Sequence, residues 1–281
     1  MEQNKHFRQV MESHMTEQDF QQHVIRIKLE GYTVLPGLLT SEECNQATQK
    51  LERLAEESPV SGGGLNNLFN KGRVFERIYQ LPDLLRLIRY FLGQDAALSG
   101  ANGSIKPPGT QAGGLHADGS STGHNRALSE ADDGRRITSH VLGLNVIFCI
   151  SDFTRNNGAT HLVPGSFQID SFRPPPPPVP GQIIVEAKQG SALVFNYNTW
   201  HGASENRSQE NRYAILSPWR RQWLRPENEL SRIVYPEVLE RSNEEGQRIF
   251  GVGALSPYLD SWQWDRSSGR PKPEWEHLTR D

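Results

Sequence analysis

The chain is short of cysteine, of long apolar runs and of any charge excess, and each shortage closes off a class of protein. Only two cysteines, Cys44 and Cys149, occur in 281 residues, and Cys149 sits inside an apolar, strand-like run. Two distant thiols do not make a disulfide scaffold, so free buried thiols are expected. The longest apolar stretch, Val141 to Ile150, is interrupted by Asn145 and falls far short of the ~20 residues that span a bilayer. The segment Met1 to Glu17 is polar, carries His6, Arg8 and His14, and lacks the apolar centre of a secretory leader. With 30 basic residues against 33 acidic, a net charge of −3, there is no basic stripe to track phosphates. The expectation is a cytoplasmic protein that contacts neither nucleic acid nor membrane.

What the chain does contain changes character near Ala97. Residues 1–16 read as a flexible arm, and 17–281 as a single domain with helical N-terminal support over 17–96, a β-rich core over about 97–219 and a C-terminal extension over 220–281. Length alone would suggest roughly two domains of about 150 residues, yet β barrels often form one larger unit. A helix is expected over Glu17 to Leu29, then a short strand Gly31 to Gly37 closed by Pro36-Gly37. Thr40 caps a helix running to about Glu56, with Glu42 and Glu43 in its first turn. Ser61 to Asn67 is a glycine-rich loop, and Pro82 to Leu92 a helix with a broad apolar face. Eight short strands follow: Ala97–Ile105, Gly114–Asp118, Val141–Ser151, Thr160–Val163, Gln182–Glu186, Ala192–Phe195, Thr199–Ala203 and Arg212–Pro218. Eight strands with no helix-length amphipathic run between them point to a mostly β fold, a sandwich or jelly roll with flanking helices. Ser120 to Ser139 is a polar excursion, and Phe172 to Pro180, with five consecutive prolines, an extended surface spacer. Helical stretches Pro226–Ile233 and Pro236–Arg241 and an aromatic tail bearing Tyr258, Trp262 and Trp264 close the chain.

Chemistry concentrates in four residues. His116 and Asp118 flank Ala117 on a strand, so alternation turns both to the same side. His201 follows the apolar strand Ala192–Phe195 and is itself followed by Gly202 and Ala203, small residues that leave room for an approach. Two imidazoles and one carboxylate can hold one face of an iron and leave the other open to a co-substrate and oxygen. A plain hydrogen bond at a strand end would account for the His-x-Asp pair as well. Arg212 opens the last strand among apolar neighbours. Its charge cannot be shed, so it needs an anionic partner: a bound carboxylate, or Glu205 or Glu210 at the surface.

Together with Gly143 to Phe153 and the run Asn157-Gly158-Ala159-Thr160-His161-Leu162-Val163-Pro164-Gly165-Ser166-Phe167, these elements resemble the phytanoyl-CoA dioxygenase (PhyH) family of iron(II)- and 2-oxoglutarate-dependent oxygenases. The resemblance covers roughly Gly31 to Trp219. It implies a double-stranded β-helix, a cupin-like jelly roll, with His116, Asp118 and His201 as catalytic iron ligands. It further implies that Arg212 grips the distal carboxylate of 2-oxoglutarate, that Thr160 adds a hydroxyl to it, and that Asn145 and Gln111 stand behind the ligands. Iron(II), 2-oxoglutarate and oxygen would be the cofactor and co-substrates. Related halogenases lack the carboxylate ligand, so Asp118 implies hydroxylation, desaturation or rearrangement instead. His161 should point away from Thr160 by alternation and be structural.

The substrate is less legible. Asn66, Asn67, Phe69 and Arg73, the excursion Ser120 to Ser139, and Trp219 to Arg225 are the candidate contacts. No basic cluster suits a CoA phosphate, which favours a small molecule such as a secondary metabolite or modified amino acid. A cupin-like metal protein that is no oxygenase, an isomerase or binding module, would share barrel and ligands but have no use for Arg212. The terminal segments would suit a homodimer that exchanges them.

Overall fold

The computed structural model describes residues 14–58, 65–118, 138–170, 174–224, 228–252, 264–265 and 270–274. The expectations for most of the N-terminal arm, for Ser61 to Gly64, for nearly all of the 120–139 excursion, and for Tyr258 and Trp262 fall outside these residues.

Two helices open the fold with the caps their sequences call for. Helix α1 (Glu17–Glu30) is capped by the Thr16 hydroxyl and ends at Gly31 in the left-handed region, φ 85°. Helix α2 (Ser41–Glu56) begins with a complete capping box, in which Thr40 accepts from the Glu43 N–H and the Glu43 carboxylate accepts from the Thr40 N–H. Between them runs β1 (Tyr32–Leu35). Helix α3 (Pro82–Leu92) starts with proline at N1, where no N–H is needed, and buries Leu84, Leu85, Leu87, Ile88, Phe91 and Leu92.

The strands are β2 (Ala97–Leu98), β3 (Asn102–Lys106), β4 (Gly143–Cys149), β5 (Thr160–Leu162), β6 (Ile183–Ile184), β7 (Ala192–Asn196), β8 (His201–Ala203) and β9 (Arg212–Arg220). A six-stranded antiparallel sheet runs β1-β7-β4-β9-β2, with β3 also on β9. A smaller sheet runs β6-β5-β8. Leu162 and Val185, from the smaller sheet and its continuation, pack against Ile147, Cys149, Leu193, Phe195 and Ala214 of the larger one. The two sheets therefore face each other across an apolar interior, the double-stranded β-helix expected. On its other face the large sheet turns Leu144, Val146, Phe148, Val194, Tyr213, Ile215 and Trp219 to a second core shared with α1, α2 and α3.

Several details differ from expectation. The strand before Pro36 is an edge strand of the large sheet, Tyr32 opposite Phe195 and Leu35 opposite Ala192, so the sheet reaches back well before Ala97. The segment 97–105 is two strands, because residues 99–101 leave the ladder before Asn102 rejoins β9. Gly114 to Asp118 is tied to β8 by one bridge, His116 to His201. The proline run bends over 176–178 and delivers Val179 into a small buried cluster with Trp200, Val163 and Ala117, so it is anchored at one end. Both cysteines are free and buried, burial pushing Cys44 up to about 11 and Cys149 up to about 12. Three short helices follow β9: α4 (Leu230–Ile233), α5 (Pro236–Arg241) and α6 (Glu244–Ile249). No helix among the described residues is long and apolar enough to cross a membrane.

Candidate metal and oxoacid site

The arm bearing His116 lies along β8, where the N–H groups of His116 and His201 each donate to the other's carbonyl at 2.9 Å. Gly113 N–H donates to the Ala203 carbonyl on one side and Asp118 N–H to the Tyr197 carbonyl on the other. Gly202 makes this approach feasible. A Cβ there would lie 2.5 Å from His161 Nε2 and 2.8 Å from the Gly114 carbonyl oxygen, so the room left by the small residue is filled by the arm itself.

His116, Asp118 and His201 come together as expected, their ligand atoms all within 4.8 Å of one another. The Asp118 carboxylate sits between the rings, 3.5 Å from His116 Nε2 and 3.4 Å from His201 Nε2. Ligand atoms about 2.1 Å from a shared ion and roughly at right angles stand about 3 Å apart, so these gaps are close to those a metal would set. Each imidazole has its other nitrogen at a backbone carbonyl: His116 Nδ1 at Gly114 O, 3.2 Å, and His201 Nδ1 at Thr199 O, 2.9 Å. That contact places the proton on Nδ1 and leaves the Nε2 lone pair for a metal. His201 is buried and its ring also packs 4.5 Å from Phe195. Burial disfavours its protonated form and pushes its pKa down, with Asp118 opposing.

Asn145, on the inward face of β4, donates its amide to Asp118 Oδ2 at 2.6 Å, fixing the carboxylate's orientation from the large sheet. Thr160 is buried on the same face of β5 as Leu162, turned to the interior. His161 points the other way, toward Ser204 Oγ at 3.5 Å. Gln111 is not brought to the triad. Its side chain is exposed and donates to the Gly109 carbonyl in its own turn, because Pro107 and Gly109 fold the chain back on itself there.

Arg212 is 5% exposed at the start of β9. Among the described residues no carboxylate pairs with it, Glu205 being taken by Arg207 at 2.7 Å, and its Nε has no hydrogen-bond partner. The guanidinium stacks over Phe153, 4.8 Å from the ring centre. Burial pulls its pKa down to about 10. Directly opposite in register stands Lys106, which the sequence reading missed. It is also buried, its ammonium donating to the Gln111 carbonyl at 3.0 Å, and burial and then Arg212 push its pKa down. The available signal was parity: one more residue on the strand ending at Ile105 puts Lys106 on the face of Asn102 and Ser104. Two neighbouring buried cations without a carboxylate fit an anionic occupant. Asn67 and Phe69 do other work, Asn67 donating to the Ile233 carbonyl and Phe69 lying in the core.

The family Phytanoyl-CoA dioxygenase (PhyH) matches residues 27–214. The "Dioxygenase af480" of Aspergillus fumigatus is 25% identical over 214 residues, covering 71% of this chain and 65% of that protein. The "Dioxygenase trt7" of Aspergillus terreus is 35% identical over 109 residues, 38% of this chain and 35% of its own. Among solved structures, HygX from Streptomyces hygroscopicus with nickel and 2-oxoglutarate bound superposes with a TM-score of 0.59 at 19% identity, covering 77% of this chain and 91% of that one. The epimerase SnoN, in complex with Fe3+, alpha-ketoglutarate and nogalamycin RO, gives 0.58 at 17% identity over 74% and 85%. At these identities the structural likeness speaks for the fold.

Proposed function

The chain belongs to the phytanoyl-CoA dioxygenase family and is a non-haem iron, 2-oxoglutarate-dependent oxygenase, and from that premise we propose that it oxidises an unactivated C–H bond of a small molecule, most simply by hydroxylation. The observation that carries this reading is the pairing, inside one barrel, of a His–Asp–His triad with a buried Arg212 that no carboxylate among the described residues neutralises.

The residues divide the labour by position. His116 and His201 offer Nε2 lone pairs because backbone carbonyls hold their Nδ1 protons. Asp118 supplies the anionic ligand, and Asn145 keeps its second oxygen in place. Arg212 receives the distal carboxylate of 2-oxoglutarate, with Lys106 adding a second positive charge beside it and Thr160 a hydroxyl. Iron, 2-oxoglutarate and oxygen, when bound, supply oxidation of a C–H bond coupled to release of succinate and carbon dioxide. The apolar interior around Ile147, Leu193, Phe195 and Leu162 keeps water from that chemistry. The carboxylate of Asp118 occupies the place a halide would need, which favours oxygen insertion, desaturation or rearrangement. A cupin-like isomerase or binding module that takes no oxoacid has no use for two buried cations beside the metal site.

Succinate release from 2-oxoglutarate, assayed with and without iron(II), tests the proposal. Wild type should form succinate only with iron, and Asp118→Ala should lose that activity by ~1,000-fold or more, the scale expected for removal of a catalytic metal ligand. Full turnover by Asp118→Ala would sink the assignment.

A further inference from the structure

The inward face of β9 changes character along its length. Arg212 and Ala214 are buried, whereas Leu216 keeps 38% of its surface exposed and Pro218 is partly exposed. Leu216 does not lie on the outer side of the sheet. Alternation places it with Ala214, which packs among Ile147, Cys149 and Phe195 between the sheets, and not with Tyr213 and Ile215, which pack under the helices. An apolar side chain exposed on the inside of a barrel faces a cavity.

The register completes that cavity's wall. Asn102 stands opposite Leu216 and Ser104 opposite Ala214, both partly exposed. Pro218 stands opposite Asn145, the residue that holds Asp118. The wall therefore extends from the triad to the β3 edge, with an apolar floor and two neutral polar side chains. Asn102 Oδ1 accepts from the Asn67 N–H at 3.1 Å, which orients the amide and leaves its Nδ2 as the donor for a ligand oxygen. Among the described residues, no charged side chain stands on this face of β9 and β3 between the Arg212–Lys106 pair and Arg220. Arg220, at the far end, donates its Nη1 to the carbonyls of Arg221, Gln222 and Leu224, while its buried Nε has no hydrogen-bond partner, so positive charge bounds the wall at both ends and its middle is neutral. A carboxylate or ammonium laid on the middle of this wall, against Leu216 and Pro218, would lose water without gaining a counter-charge.

Resting on the oxygenase reading above, we infer that the molecule oxidised is neutral and largely apolar, seated on Leu216 and Pro218 with its oxygens turned to Asn102 and Ser104. An amino acid or an acyl-CoA thioester would have to find its charged partners away from the middle of this wall.

The test uses the protein loaded with iron(II) and 2-oxoglutarate under nitrogen. It is titrated with sclareolide, a neutral terpene lactone, with the hydroxy acid made by opening that lactone, and with L-arginine, followed by tryptophan fluorescence and thermal shift. The lactone should bind about tenfold or more tightly than its hydroxy acid, and arginine should produce no shift. Leu216→Asp should lose about tenfold or more of the lactone affinity, while Leu216→Met stays within about threefold. Equal or tighter binding of the acid or of arginine, an unaffected Leu216→Asp, or silence of all three probes overturns the inference. Absorbance of the iron–oxoacid complex in the same samples is independent of it: without that band the oxygenase reading falls, whereas the band without lactone binding removes only the substrate class.

Discussion

The two halves of the site are held in opposite ways. His116 and Asp118 ride on an arm joined to the small sheet through a single bridge, and both are exposed. Arg212 opens a nine-residue strand paired on both sides, by β3 and β4, and is buried. The half proposed to bind metal thus depends for its rigidity on a few backbone bonds, on Asn145 and, when bound, on the ion. The half proposed to bind the oxoacid is preorganised by the sheet, at the cost of a buried guanidinium with no carboxylate beside it among the described residues. On the proposed reading, ligand binding does different things at the two ends: it orders the first and neutralises the second.

Arg212→Gln breaks the contrast most severely. It removes the buried charge that should hold the distal carboxylate, a loss of about 2–4 kcal/mol, roughly 30- to 1,000-fold in the KM for 2-oxoglutarate, with iron affinity little changed. Steady-state kinetics over a wide co-substrate range reads this, and an unchanged KM would place the carboxylate elsewhere. Asn145→Ala acts across the divide, since this residue of the large sheet steadies a ligand on the arm. Iron(II) affinity should fall by about 10- to 100-fold, as for other groups that orient a metal ligand, and competition with a chromophoric chelator measures it. The gentlest probe is amide hydrogen exchange with and without metal. Protection should rise at 114–118 and stay nearly constant along β9; equal changes in both would erase the distinction.

How much of this was legible in the sequence depends on how local the information was. The Thr40–Glu43 capping box and Pro82 at N1 fixed two helix starts, because capping is settled within four residues. His116 and Asp118 were readable from strand parity. Arg212 stood out because a permanent cation among apolar neighbours demands an explanation. Long-range pairing was not legible: nothing in Tyr32–Leu35 names Ala192–Phe195 as its partner, so the strand was expected but its place at the edge of the large sheet was not. Lys106 was lost to a strand boundary misplaced by one residue, and Gln111, named through the family resemblance, turns its side chain to the Gly109 carbonyl of its own loop. The exposure of Leu216 could not be seen at all, since parity gives the face a residue occupies and not whether that face is filled.

The central claim is that one barrel holds a metal and an oxoacid together, and anaerobic titration of the iron(II)-loaded protein with 2-oxoglutarate addresses it most directly. The account predicts a weak visible metal-to-ligand charge-transfer band that grows to a stoichiometry of one, and that requires Asp118 for the metal and Arg212 for saturation at low co-substrate concentration. Iron bound at the triad with no band at any concentration of 2-oxoglutarate would contradict it.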